Sequence, residues 1–123
     1  PASGGALTTL TDAPLREVLP LNLDALRDAA VAWKRAGVTA VCAYNDEWAM
    51  GLLSGMHSAG LSAPVDLAVI GCDDVPTAPV ASPPLTTIRQ NMIRPSACAY
   101  LNPKVVPRRL DSTMYELVIR ESA

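Results

Sequence analysis

Two polar clusters hold the residues best suited to chemistry: Asn45-Asp46 and Asp73-Asp74. Each closes an apolar run, TAVCAY in the first case and LAVIGC in the second. A paired carboxylate can serve as an acid/base dyad or hold a metal ion. Neighbouring residues on extended chain point to opposite sides, so Asp73-Asp74 does not converge on one atom. No further oxygen ligands are spaced to complete a metal shell. The chain therefore reads as a non-enzyme, with no catalytic residue, no metal and no cofactor. One carboxylate at a strand end is better suited to accepting hydrogen bonds from ligand hydroxyls, each contributing roughly 1.5–3 kcal/mol. Asp73 is the candidate, with a solvated loop acid or helix cap as the competing reading. Asn45 offers a donor and an acceptor from one amide, which suits a sugar or nucleoside. It is equally at home as a helix N-cap. Asn45 and Asp46 can also divide these tasks, one capping and the other facing the ligand.

The other reactive residue types carry less. His57 is the only histidine. It falls within a helical pattern, with no Ser or Cys nucleophile at a recognisable elbow, and reads as a surface or interface residue. GLLSG is helical, and no GxGxxG or Walker pattern is present to cradle phosphate. The cysteines at 42, 72 and 98 form neither a CxxC nor a His/Cys cluster. Cys42 and Cys72 lie in apolar strand patterns and are expected to be buried, reduced thiols, as suits a cytoplasmic protein. With a net charge of −2, a pI near 5.2 and Arg108-Arg109 as the one Arg pair, this segment has no basic stripe with which to grip nucleic acid. The apolar runs are too short to span a bilayer, and no signal peptide is visible. The chain begins at Pro1, as a piece of a longer protein would.

The elements that must position the polar clusters are legible from periodicity. Residues 1–14 read as a loop, and Arg16–Leu19 as a short strand. Asn22–Ala36 reads as a helix: Asn22 caps it, Asp24 and Lys34-Arg35 complement its dipole, and Gly37 stops it. Leu23, Leu26, Ala30 and Trp33 form its expected buried stripe. Thr39–Tyr44 and Leu67–Cys72 read as parallel strands covered on both faces, because their apolar runs are nearly continuous. Between them lies a helix, Glu47–Ala59, with a core stripe of Ala49, Leu52, Leu53 and Met56. Gly51 and Gly55 on that helix permit a close backbone approach. Ala63–Asp66 is a turn, Asp73–Pro84 a proline-rich loop, Leu85–Gln90 extended, and Glu116–Arg120 a final strand. Ile93–Met114 has no clear period, and Pro95, Pro103 and Pro107 interrupt any helix there. The whole is a βαβ-containing α/β chain, long enough for one domain or one lobe of a larger one. Ligands of such sheets bind outside the carboxyl ends of the strands.

At this point the residues resemble one family. The ND pair with the following A-x-G, the V-I-G-x-D-D strand end, P-P-L-T-T-I-R-Q and the terminal ELVIRES resemble the effector-binding domain of the lactose-repressor (LacI/GalR) family of bacterial transcription regulators. The match is best over 38–90 and 116–122. The resemblance implies a periplasmic-binding-protein-like (type I) fold, of which residues 1–123 are the carboxyl-side lobe, a parallel sheet flanked by helices. It implies a sugar-like or nucleobase-like effector bound by Asn45 and Asp73, and a homodimer whose interface includes Met50 and Ser54. Operator DNA would be held through an N-terminal helix-turn-helix that is not in this chain, and the protein would be cytoplasmic, without a membrane partner. An extracytoplasmic sugar-binding protein of a transporter shares the fold and is the alternative. The Arg that commonly clamps the effector in this family has no identifiable counterpart here.

Overall fold

Asn22 begins the first helix as the spacing predicts. Its side-chain oxygen accepts from Ala25 N at 3.2 Å, and α1 runs Leu23–Arg35. A computed structural model describes residues 16–90 and 115–123. The expectations for 1–14, for Ile93–Met114, for Cys98 and for Arg108-Arg109 lie outside these residues. Gly37, at φ 84°, ends the helix in a left-handed conformation that costs glycine little. Strand β1 (Ala40–Cys42), helix α2 (Asp46–Ser58), strand β2 (Ala68–Cys72), a 3-10 turn (Ala78–Val80), strand β3 (Thr86–Gln90) and strand β4 (Tyr115–Val118) follow. The sheet order is β1-β2-β3-β4. The first three strands are parallel and β4 runs antiparallel to β3, so the sheet is mixed rather than wholly parallel.

The core sits between α2 and the sheet. Ala49, Leu52, Leu53 and Met56 are all buried, as their spacing on α2 predicts, and meet Leu67, Val69 and Leu85. α1 lies on α2 with almost no space between them. A Cβ at Gly55 would stand 2.7 Å from Arg27 N, and one at Gly51 would stand 2.8 Å from Leu26 Cδ1. The two glycines are therefore a helix–helix contact. That contact explains a departure from the expected α1 stripe. The crossing point lies at Leu26–Arg27, so Leu26, Ala29 and Ala30 are buried while Leu23, one turn earlier, is 51% exposed. Trp33 packs against the core edge, and its Nε1 donates to Glu17 at 3.0 Å.

Three further expectations are corrected. Arg16–Leu19 forms no strand; it is held by indole donors, with Trp48 Nε1 donating to the Leu19 carbonyl at 3.0 Å. The parallel strands are not covered on both faces by the described residues. In β2, Val69 and Gly71 are buried toward α2, whereas Ala68, Ile70 and Cys72 on the other face are only partly covered. Cys42 is accordingly exposed rather than buried, because it lies on that open face of an edge strand; Cys72 is half-buried, and both thiols are free.

The last residues close the sheet at its amino end. Ser122 is buried. Its Oγ donates to Val69 O at 2.6 Å and accepts from Thr86 N at 2.8 Å, and its carbonyl accepts from Val69 N at 2.8 Å. A backbone segment that would otherwise leave β2 and β3 with unmet polar groups is thereby pinned beneath them.

Candidate functional site

The two polar clusters come together at the carboxyl ends of the parallel strands. β1 and β2 pair Ala40 with Ala68 and Cys42 with Ile70, and the ladder continues with Ala43 N donating to Ile70 O at 2.8 Å. That bond ends the ladder: Asn45 follows β1 as the cap of α2, and Asp73 follows β2. On the next strand, Gln90 Nε2 reaches Asp73 Oδ1 at 3.4 Å and Cys72 Sγ at 3.0 Å. Asn45, Asp73 and Gln90 thus make up a polar rim at the carboxyl ends of β1, β2 and β3, in which Gln90 contacts Asp73. Gln90 was not anticipated as part of it. Its alternation in β3 placed it at a strand end, but only the register shows which acid it faces.

Within each pair the two residues play opposite parts. Asn45 caps α2: its Oδ1 accepts from Trp48 N at 3.0 Å, which leaves Nδ2 with no partner among the described residues. Asp46, the first helical residue, turns inward and is fully buried. Its Oδ2 accepts from Val75 N at 2.8 Å and its Oδ1 from the Thr87 hydroxyl. One carboxylate therefore joins the start of α2 to β3 and to the loop after β2. Gly71 makes room for it, since a Cβ at that position would overlap Asp46 Oδ1. The labour is divided, but the acid of the first pair serves the interior.

The second pair repeats the division. Asp74 is nearly buried and receives two guanidinium groups, Arg120 at 2.8 Å on Oδ1 and Arg89 at 2.8 Å on Oδ2. Arg89 continues to Glu116 at 3.1 Å, and Arg120 also donates to the Leu85 carbonyl at 2.7 Å. The hydrogen bond from Arg120, and then that from Arg89, hold the Asp74 carboxyl below its ordinary value despite the opposing effect of burial. The same contact raises Arg89 further into the basic range. Asp73 is exposed and takes an unusual backbone conformation, φ 113°, followed by Asp74 at φ 55°. Two successive non-glycine residues with positive φ carry a conformational cost that the ion pairs of Asp74 offset. The result is a carboxylate set out at the end of β2.

Met50 and Ser54, the expected interface residues, differ in setting. Ser54 is exposed. Met50 is half-buried against the core, and its Sδ accepts from Thr77 Oγ1 at 3.8 Å, because the 3-10 turn lies over that side of α2. His57 is exposed in the last turn of α2, as its position suggested. Among the described residues no group of three or more His, Cys, Asp or Glu is placed to hold a metal, and no helix is long and apolar enough to cross a membrane.

A cavity of about 700 Å³ lies along β1, with none of Asn45, Asp73 and Gln90 in its lining. Val18, Leu19, Trp33, Val41, Tyr44 and Trp48 contribute to its walls.

The model of the periplasmic binding protein-like domain matches residues 7–123. The chain is 41% identical over 90 residues to the HTH-type transcriptional repressor PurR of Photobacterium profundum, a stretch covering 68% of this chain and 27% of that protein. It is 48% identical over 52 residues to the HTH-type transcriptional regulator GalS of Salmonella typhimurium, covering 42% of this chain and 15% of that one. Among solved structures, a LacI family transcriptional regulator from Arthrobacter sp. FB24 in complex with lactose superposes with a TM-score of 0.64 at 29% identity, over 97% of this chain and 49% of that chain. A LacI family regulator from Lactobacillus casei with bound sucrose gives 0.63 at 30% identity, over 82% and 39%. The chain spans about a quarter of the length of the PurR relative. Matched over nearly all of its length by the domain model, and similar in both sequence and structure to LacI-type regulators, it belongs to the periplasmic binding protein-like domain family, in the LacI/GalR branch.

Proposed function

We propose that this chain is the carboxyl-side lobe of the effector-binding domain of a LacI-type transcriptional regulator. The observation that carries the proposal is the rim of Asn45, Asp73 and Gln90 at the strand ends, where open α/β sheets bind ligands. With Oδ1 engaged as a cap, Asn45 retains only N–H donors, while Asp73 is an acceptor. A ligand hydroxyl both accepts and donates, so one or two vicinal hydroxyls suit the pair. A sugar-like effector follows, in keeping with the lactose and sucrose bound to the two LacI-type neighbours. Asp46, buried, and Asp74, nearly so, fix the rim to α2, β3 and the segment after β4. The rim therefore moves with the body of the lobe.

The regulatory step is linkage. An effector that binds one arrangement of the protein better than another shifts the population toward it, and operator affinity changes by the same coupling factor. Operator DNA is held elsewhere in the protein, in keeping with the net charge of −2 and the lack of a basic run in this sequence. The protein acts in the cytoplasm as a homodimer, with Ser54 and the exposed side of α2 in the interface. The repressor names of the curated relatives favour this reading over a transporter's sugar-binding protein.

Titration calorimetry of the complete protein with lactose, sucrose, cellobiose and purine bases tests the site. Asp73→Ala is expected to weaken the ligand that binds by about tenfold or more, the loss of one charged hydrogen bond. Unchanged affinity would remove Asp73 from the site.

A further inference from the structure

Asp73 is the acid of the rim, yet little holds its side chain. Among the described residues its carboxylate meets only the Gln90 amide, at 3.4 Å. Its direction is set by the backbone instead. Asp73 N still donates to Ile88 O at 2.9 Å, and the chain then turns through φ 113° at Asp73 and φ 55° at Asp74. Aspartate pays for such a path, so a chain free to choose would leave it and swing the Asp73 carboxylate away.

The next residue supplies the restraint. Asp74 N reaches Thr87 Oγ1 at a long 3.4 Å, so the hold falls mainly on the Asp74 carboxylate. The two guanidinium groups on that carboxylate are unequal. Arg89 is 43% exposed and is shared with Glu116. Arg120 is 15% exposed and tied down on every side. Its backbone N donates to Thr86 Oγ1 at 2.8 Å, Nη1 donates to Leu85 O at 2.7 Å, and Nη2 donates to Asp74 Oδ1 at 2.8 Å. The residues after it are tied as well, with Glu121 N and Ser122 N each donating to Pro84 O at 3.0 Å. A rigid, charged fork that cannot follow its acceptor fixes where the acceptor stands.

The geometry points to Arg120 as the positioning residue of the effector rim: by holding Asp74 it keeps the 73–74 backbone in its positive-φ path and so aims the Asp73 carboxylate. The inference rests on the site proposed above and adds to it the residue that sets its acceptor, 46 positions away from Asp74 along the chain. Arg120 touches no ligand in this scheme. Its effect on binding passes through Asp73.

The test is a double-mutant cycle in affinity. Titration calorimetry of the complete protein with lactose and with hypoxanthine compares the wild type, Asp73→Ala, Arg120→Met, Arg120→Lys and each Arg120 variant combined with Asp73→Ala. Arg120→Met is expected to weaken the probe that binds by roughly five- to tenfold, most of what Asp73→Ala removes. Arg120→Lys keeps a charged donor near Asp74 Oδ1 without the second arm, and the loss shrinks to about two- to fourfold. In the Asp73→Ala background either change costs no more than about a further 1.5-fold, because no carboxylate is left to aim. If Arg120→Met does not fold, the Arg120→Lys cycle carries the same comparison. A residue with a merely structural role lowers affinity equally in both backgrounds, and that result overturns the inference. So does unchanged affinity in the Arg120 variants beside a loss in Asp73→Ala; both of these leave the rim standing. Unchanged affinity in Asp73→Ala, or a wild type that binds neither probe, overturns the rim and the positioning role together.

Discussion

Replacing Asp46 is the sharpest test of how the rim is held. Asp46→Ala removes the acceptor for two donors, Val75 N–H and the Thr87 hydroxyl. Thr87 is fully buried, so water cannot replace the lost partner there. Each unsatisfied donor costs about 1–3 kcal/mol, and the lost acid in the first turn of α2 adds about 0.5 kcal/mol. The sum is roughly 2.5–6.5 kcal/mol, a large share of the 5–15 kcal/mol or so that stabilises a typical domain. Asp46→Asn is expected to be much milder, roughly 1–2 kcal/mol. The amide oxygen can still accept from Val75 N–H, and the Thr87 hydroxyl can rotate to accept from the new NH2. Thr87→Val removes the donor instead, and the Asp46→Ala/Thr87→Val double variant should be less unstable than the sum of the singles by 1 kcal/mol or more, roughly the coupling of a buried pair. Urea denaturation followed by far-ultraviolet circular dichroism measures all four. An Asn variant as unstable as the Ala variant, or strict additivity in the cycle, would refute the bridging role and reduce Asp46 to a helix-terminal charge.

Other substitutions test the same framework. Gly71→Ala forces a methyl into Asp46 Oδ1 and to 3.0 Å from Leu85 Cδ2, and is expected to cost about 2–3 kcal/mol in the same urea experiment. Ser122→Ala leaves Val69 O and Thr86 N without their hydroxyl partner, with an expected loss of roughly 2–4 kcal/mol. The pH profile isolates Asp74. Its folded carboxyl titrates below its unfolded value, so its contribution is fully present above the unfolded value near 3.8 and is lost as pH falls through the lower folded value. Wild type should therefore exceed Asp74→Asn by roughly 2–3 kcal/mol at pH 7, with the gap narrowing only below about pH 4. A gap that closes between pH 7 and 5 would show that another group carries the effect.

Much of this molecule is local, and the sequence determined it. Asn22 and Asn45 cap helices because a short amide oxygen after an extended residue lies within reach of the third N–H onward. Gly37 and Gly60 stop the helices because only glycine takes positive φ without cost. The α2 stripe of Ala49, Leu52, Leu53 and Met56 follows from the 3.6-residue period alone. The location of the proposed site follows from strand ends carrying Asn45 and Asp73. What depends on partners distant in sequence was decided by tertiary structure. Period-two reasoning could not tell that one face of β2 would be only partly covered by the described residues, nor that Cys42 would lie exposed on that side. Nor could periodicity on α1 show that the crossing with α2 falls at Leu26–Arg27 and leaves Leu23 exposed. In the acidic pairs, residue type gave both members equal standing. Packing separated them: Asp46 found Val75 and Thr87 across the space left by Gly71, and Asp74 found Arg89 on β3 and Arg120 in the segment after β4. A carboxylate buried among fixed donors is spent on the fold, whereas Asp73, its neighbour turned to the other side, stays exposed.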